Sequence, residues 1–250
     1  MKRRWLVLVA TLIGMAITAS MGVWQLGRGQ TKLALQAQRE ARALMPVLDG
    51  ATLAQPLDEA AREALLERRV LLRGRWRSEA SVFLENRQMN GRPGFYVLTP
   101  LEIEAPGRPL ARVMVQRGWV PRSFTDRTAL PPIPTPHETV QIEGRISPWP
   151  SRLYDFDGPA QGAIRQNLDW AAWQQETGWS FPHLSVLQTG ADGDGLMRQW
   201  PAVASGVDKH WGYAFQWFGL CALMALLYVW FQIVQPRTKR KRGAAGSDGA

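Results

Sequence analysis

Cysteine is almost absent from this 250-residue chain: Cys221 stands alone, so no intrachain disulfide holds the fold. A single thiol also excludes a thiolate copper site, because soft Cu(I) wants paired Cys or Met ligands and neither a CxxC nor a Cys–Met cluster occurs. Histidine is nearly as scarce. His137, His183 and His210 are widely scattered, and none has a second His or a Glu at metal-ligand spacing. No GxSxG elbow, phosphate loop or dinucleotide fingerprint appears, so no catalytic constellation is visible and the chain reads as a non-enzyme. The loop "GADGDG" (190–195) imitates the start of a calcium loop but lacks its later ligands and bidentate Glu.

Charge is missing from two long stretches. "WLVLVATLIGMAITASMGVW" (5–24) and "WGYAFQWFGLCALMALLYVWFQIV" (211–234) carry none, and each is long enough to cross the hydrocarbon core as a helix. The formal net charge of +9 would invite a nucleic-acid reading, but its placement excludes one. The excess sits beside the apolar runs, in Lys2, Arg3 and Arg4 and in Arg237, Lys239, Arg240, Lys241 and Arg242, while cations and anions nearly cancel between them. Flanking cations mark the cytoplasmic side. The expected order is therefore a cytoplasmic N-terminus (1–4), a first span (5–24), a periplasmic domain (25–210), a second span (211–234) and a basic cytoplasmic tail (235–250). The first run is longer than the apolar core of a signal peptide and no clear small-residue cleavage site follows, so it reads as a retained anchor in the inner membrane. Trp5, Trp24, Trp211, Tyr228 and Trp230 fall near span ends, where aromatic belts form in contact with lipid.

Between the spans, "TKLALQAQREARALM" (31–45) and "LDEAAREALLERR" (57–69) have helical spacing, the second with Asp58 as a cap. Five β-rich segments follow, at 69–78, 81–89, 94–103, 110–120 and 139–147, separated by "NGRPG", "APGRP" and "PPIPTP". Asn90-Gly91 and Pro93-Gly94 both read as turns. The pieces "RGRW", "QRGW" and "EGRI" recur at strand positions and read as chance or shared bulge chemistry. "NLDWAAWQQET" (167–177) is helical with Leu168, Ala171, Ala172 and Gln175 on one side and Gly178 as its C-cap, and 181–190 returns to strand. The fold class expected is α+β: two transmembrane helices flanking an antiparallel sheet or partly closed barrel with a few short helices. Arg87, Arg117 and Arg122 have two readings, an external docking surface or structural ion pairs.

The spans carry two patterns. Ala10, Gly14, Thr18 and Gly22 recur every four residues, a ridge of small side chains that lets another helix approach in lipid; Gly212, Gln216 and Gly219 do the same in the second span. Either the two spans pack on each other or the ridge docks a partner membrane protein. At the outer boundary His210 shares a helical face with Ala214, Trp217, Phe218 and Cys221. A neutral imidazole there can ligate haem iron, or it can serve as an interfacial anchor. The antiparallel first span brings Trp24, Gln25 and Arg28 to the same depth, where they can bond carboxylates or a polar partner surface.

"GVWQLGRGQTK", "FLENRQMNGRPGFYVLTPL", "VQRGWVPR", "IRQNLD" and "DKHWGYAFQWF" resemble, in order and over nearly the whole chain, the surfeit-locus-one (Shy-one) family of cytochrome c oxidase assembly proteins, bacterial branch. The resemblance implies a two-span assembly factor that holds haem a transiently and delivers it to oxidase subunit I, with haem-a synthase a further possible partner. The family's membrane-entry histidine maps onto His210, and its Gly-Trp-Gln motif onto Gly22, Trp24 and Gln25. On that basis His210 is the expected axial ligand, Trp24, Trp211, Tyr213 and Trp217 shelter the porphyrin, and Lys209 and Arg28 meet its propionates, with Gln25 beside them. The competing expectation is a haem-free scaffold that stabilises an oxidase intermediate.

Overall fold

The computed structural model describes residues 2–104, 111–126, 129–154, 162–192, 194–201 and 206–236, apart from the Arg3 side chain. The basic residues Arg237 to Arg242, the "APGRP" turn and Gly193 of the 190–195 loop lie outside the described residues. In chain order the elements are α1 (Lys2–Leu44), β1 (Leu48–Asp49), a 3-10 turn (Gly50–Ala54), α2 (Glu59–Leu65), β2 (Arg69–Trp76), β3 (Val82–Met89), β4 (Arg92–Ile103), β5 (Ala111–Pro121), β6 (Val140–Pro148), β7 (Ile164–Arg165), α3 (Trp170–Thr177), β8 (Leu184–Gln188) and α4 (Val207–Val229), whose last turn continues as a π-helix to Val234. The chain divides into two compact units, one of residues 1–37 with 204–250 and one of residues 38–203.

The helical unit contains α4 and most of α1. The first span and the 31–45 helix, read separately from sequence, are one uninterrupted helix, because nothing between Gly22 and Lys32 breaks it: Gly27 and Gly29 cost propensity without adding a proline or a cap. The second helix begins at Val207, four residues ahead of the apolar run, after Gly206 in a left-handed conformation. Both helices are long and apolar enough to cross a membrane.

The β-rich unit is built on a closed ring. β2 pairs with β6, β6 with β8, β8 with β5, β5 with β4, and β4 again with β2; β3 and β7 extend from β4, and β1 from β2. Strict alternation in β2 turns Val70, Leu72 and Trp76 inward, where they join Leu101, Ile103, Val113, Val115, Ile142, Ile146, Leu184 and Val186 in one apolar cluster drawn from all five ring strands. β5 is buried along nearly its whole length because its other face is covered at Met114 by α3 and the 181 region and at Gly118 by Leu196. The expected antiparallel sheet is corrected to a mixed one: β1–β2, β3–β7 and β5–β8 are parallel. The last of these joins strands separated by the whole 122–183 region, a connection long enough for parallel pairing.

Ring closure explains the recurring glycines. Gly74 is where β2 changes partner, opposite both Ile103 and Val140. A Cβ there would lie 2.1 Å from the Glu102 carbonyl oxygen, and one at Gly144 2.3 Å from the Val186 side chain. These glycines admit a neighbouring strand; they are not a repeat.

Local chemistry sets the remaining joints. Asn90 and Gly91 both have positive φ, forming the two-residue hairpin loop between β3 and β4 that such a pair favours. Pro93-Gly94, expected to be a turn, lies inside β4, where the Trp119 ring packs so closely that a Cβ on Gly94 would be 2.5 Å from it. Asp58 caps α2 by accepting from the Ala61 N–H at 2.7 Å. Asp169 caps α3, and Gly178 closes it at φ 68°. The buried side of α3 is corrected from its alanines to Trp173, flanked by part-buried Trp170 and Thr177, because an indole offers far more apolar area than a methyl group.

For Arg87 and Arg117 the docking reading gives way to a structural one, which for Arg117 includes an ion pair with Asp194. Arg87 and Arg117 are 6% and 2% exposed, so neither forms an external surface. Both sit at strand irregularities, Arg87 after the bulge at Asn86 and Arg117 at the register shift opposite Val97 and Leu98, which turn them inward. Arg87 donates to the carbonyls of Ser151 (2.9 Å) and Gln166 (3.0 Å); Arg117 donates to Pro134 O and Thr135 Oγ1, each at 2.7 Å, and reaches Asp194 at 3.4 Å. They pin loops to the barrel. Ion pairing is the smaller part of their role.

Substituting Gly74 with Ala should force β2 and β4 apart and cost at least about 2 kcal/mol, a fall of roughly 4–8 °C in Tm for a chain of this size; near-UV circular dichroism of the detergent-solubilised chain during heating measures it. A second prediction concerns acid. Burial alone pushes the Glu102 carboxyl up, but the hydrogen bond and charge from Arg77, with Arg112 beside it, outweigh burial and hold it below the usual carboxylate range. Its contribution is then fully present above the unfolded value of about 4.3 and is lost as pH falls through the lower folded value. Thermal melts from pH 6 to pH 3 should fall less steeply for Glu102→Gln than for the wild type.

Candidate functional site

The site lies in the helical unit. Along α4 the buried or half-buried positions are Val207, His210, Ala214, Trp217, Cys221, Met224 and Tyr228, at alternating steps of three and four, with Ala225 beside them. This is the spacing of a seam that stays in register with an opposing helix. The matching residues of α1 are Val7, Thr11, Gly14, Thr18, Gly22, Gln25 and Gly29. They meet: Phe218 lies over Gly22, where a Cβ would be 2.8 Å from the ring, and Met224 over Gly14, where it would be 3.1 Å from the sulfur. The Cys221 thiol points at the Met15 carbonyl at 3.6 Å. Thr11 and Thr18 return their hydroxyls to the carbonyls of Val7 and Gly14, so neither threonine presents an unpaired hydroxyl to the seam.

This seam brings His210 and Gln25 into direct contact. His210 Nδ1 lies 2.7 Å from Gln25 Oε1, with the imidazole half-buried. A carbonyl oxygen at Nδ1 pairs with a protonated Nδ1, so the neutral ring carries its lone pair on Nε2. No hydrogen bond to Nε2 occurs among the described residues. One turn further along α1, Gly29 leaves room for Trp211: a Cβ there would be 3.1 Å from the indole nitrogen and 3.8 Å from the His210 Cβ. Gly206, at the start of α4, lies near the Lys32 amine.

The other expected site residues divide. Trp217 sits half-buried on the His210 face, one heptad along. Trp24 and Arg28 pair with each other, the guanidinium 5.7 Å from the ring centroid, and both are exposed. Lys209, Trp211 and Tyr213 are also exposed, and Lys209 and Tyr213 make no hydrogen bond or ring contact with the other site residues among those described.

The small-residue ridge divides between the two faces of α1. Gly14, Thr18 and Gly22 lie on the seam, but Ala10 is exposed and Thr11 takes its place. A step of four overshoots a helical turn by about 40°, so three such steps carry Ala10 off the face. Gly212, Gln216 and Gly219 are exposed, and nothing lies within 4 Å of a Cβ built on either glycine. They stand on the side of α4 opposite His210. Sequence reasoning missed Gly29 and Thr11, which continuing the three-four alternation from Gly22 and Gln25 would have found.

The SURF1 family matches the chain over residues 12–222. The chain belongs to the SURF1 family. That match takes in α1 from Leu12 onward, the whole β-rich unit and α4 to Ala222. A SURF1-like protein from Rickettsia bellii (strain RML369-C) is 21% identical over 226 residues, covering 88% of each chain. The SURF1 family is associated with cytochrome c oxidase assembly.

The contact predicts a tautomer. Long-range proton–nitrogen spectra of the labelled full chain should show neutral His210 protonated at Nδ1, and Gln25→Leu should return it toward the Nε2–H form that imidazole prefers in water. Identical nitrogen shifts in the two proteins would show that Gln25 does not govern the ring.

Proposed function

We propose that this SURF1-family protein holds haem a at the outer boundary of the inner membrane and passes it to subunit I during assembly of cytochrome c oxidase. His210 Nε2 is the ligand that this reading assigns to the iron. The observation carrying it is the 2.7 Å contact between His210 Nδ1 and Gln25 Oε1. A ligating histidine characteristically gives its other ring N–H to a carbonyl or carboxylate, which fixes the tautomer, orients the ring and raises the basicity of the ligating nitrogen. Gln25 supplies that partner from the opposing helix.

The surrounding residues suit a flat, amphipathic cargo. Trp211 and Trp217 lie beside and below the imidazole on α4, and Trp24 and Tyr213 add exposed aromatic surface. Lys209 and Arg28 are exposed cations at the same end of the helices, positioned to take the propionates. One exchangeable protein ligand fits a carrier that must release what it holds. By the placement of basic residues, both termini are cytoplasmic and the β-rich unit periplasmic. Haem-a synthase, as the source of the cargo, and subunit I, as its destination, are the partners this reading requires. No residue is assigned a catalytic role.

A second reading is a haem-free scaffold holding an oxidase intermediate. The outward side of α4 favours it, where exposed Gln216 stands between Gly212 and Gly219: an amide on the lipid-facing side of a span seeks a polar partner, and glycines admit a close helix.

Protein purified from cells that make haem a should carry a Soret band. His210→Ala should abolish it with the thermal unfolding profile unchanged, and Gln25→Leu should lower haem affinity about tenfold or more. A colourless wild-type protein would favour the scaffold, and a His210→Ala protein that keeps its pigment would remove the assigned ligand.

A further inference from the structure

The β-rich unit contains a cleft unrelated to the helical seam. At the end of the ring where the parallel strands β5 and β8 both begin, a space of about 510 Å³ opens between the 3-10 turn, α2, the start of α3 and the 180–183 segment. Its size falls within the range in which proteins bind small organic molecules. One side is apolar and flat. Leu53 and Phe181 are buried at its base, and Trp170 stands over it with its indole N–H donated to the Phe181 carbonyl at 3.1 Å and its ring 4.9 Å from that of His183.

The other side is cationic. Arg62 and Arg112 both line the cleft, with no carboxylate among its described lining residues. Arg112 is no free surface arginine. It stands directly across the ladder from Glu102, bonds that carboxylate at 2.7 Å, and lies 4.7 Å over the Trp179 ring. Its Nε is buried and makes no hydrogen bond. Glu102 must also serve Arg77, which it holds at 2.8 Å through both oxygens. Two guanidiniums thus share the Glu102 carboxylate, with Glu79 a further counter-charge for Arg77, so Arg112 is only part-compensated beside an aromatic wall. Arg62 adds a second charge, answered among the described residues by Glu59, which is 84% exposed and therefore well screened by water.

We infer that this cleft binds a small organic carboxylate with a flat apolar body, its anionic end on Arg112 and Arg62 and its body against Trp170 and Phe181. A guanidinium held in place by stacking and a carboxylate recognises a second carboxylate with little loss of side-chain freedom. A neutral analogue of the same shape gains only the apolar part. The inference does not depend on the haem reading.

The probe is 6-fluoro-2-naphthoate, titrated into the full chain in a nonionic detergent and followed by fluorine NMR relaxation, with empty micelles as the blank. Saturable broadening is expected, displaced by excess 2-naphthoate and at least about tenfold weaker for the neutral 6-fluoro-2-naphthamide, as loss of a charge-assisted hydrogen bond implies. Arg112→Gln should weaken naphthoate to a similar extent. Because that change also disturbs Glu102, Arg62→Gln, which removes an ion pair with the exposed Glu59 and no other among the described residues, provides a second arm and should weaken binding about threefold. Equal affinity for acid and amide, or unchanged naphthoate binding in Arg62→Gln and in folded Arg112→Gln, would overturn the site. So would broadening that matches empty micelles.

Discussion

Gln25 can reach His210 only because the backbones of α1 and α4 approach closely, and they do so only where one of them carries almost no side chain. Gly22 accepts the Phe218 ring and Gly29 accepts Trp211, one turn to either side of the histidine contact. Without a hydrophobic force between helices in lipid, packing of this kind has to supply the association itself. The polar contact then adds what packing cannot: a fixed orientation of one imidazole. Any bulkier residue at either glycine moves the two partners of a 2.7 Å hydrogen bond, whose strength declines steeply with distance and angle.

The β-rich unit solves a different problem with different means. It has no disulfide, and its ring is closed by strands distant in sequence, so the loops between them need other fastenings. Buried arginines supply these. Arg87 clamps two carbonyls, Arg117 holds the 134–135 segment, and Arg165 pairs with Glu176 of α3 while stacking on Trp173 at 4.9 Å. Burial depresses Arg87 and Arg117, but a guanidinium remains charged across the physiological range, so these clamps do not switch with pH. Each would be costly to leave unpaired, which ties the loop geometry to the strand register.

Much of this was legible in advance where the signal is local. The Asn90-Gly91 loop, the Asp58 cap, the Gly178 close of α3 and the extent of β2 through β6 follow from residue types at short spacing. What was not legible depends on neighbours. β1 and β7 are two-residue pairings that no periodicity can announce, and the β5–β8 pairing is parallel because of topology alone. Arg87 and Arg117 stay open between a docking surface and structural ion pairs, since a bulge that turns a side chain inward leaves no mark in composition. The seam of the helical unit was half legible: the step of four found Gly14, Thr18 and Gly22, yet only an opposing helix decides which of several small-residue faces is covered. Gly212 and Gly219 satisfy the same pattern on the wrong side.

The motifs that carry the family resemblance therefore divide by physical role. "ENRQ", "NGRPGF", "RGW" and "RQN" converge on one structural knot: the Trp119 indole donates to the Arg87 carbonyl at 2.9 Å, its ring covers Gly94, Arg87 reaches Gln166, and Asn167 exchanges hydrogen bonds with the Leu153 backbone. "WQLGRGQ" and "DKHW" differ in kind. Their contact fixes the orientation of one imidazole, at a cost in helix propensity from Gly22 and Gly29, which admit Phe218 and Trp211. A stabilising residue is accounted for once its partners are named. For His210 the naming of Gln25 accounts for one nitrogen, and Nε2 has no hydrogen bond among the described residues.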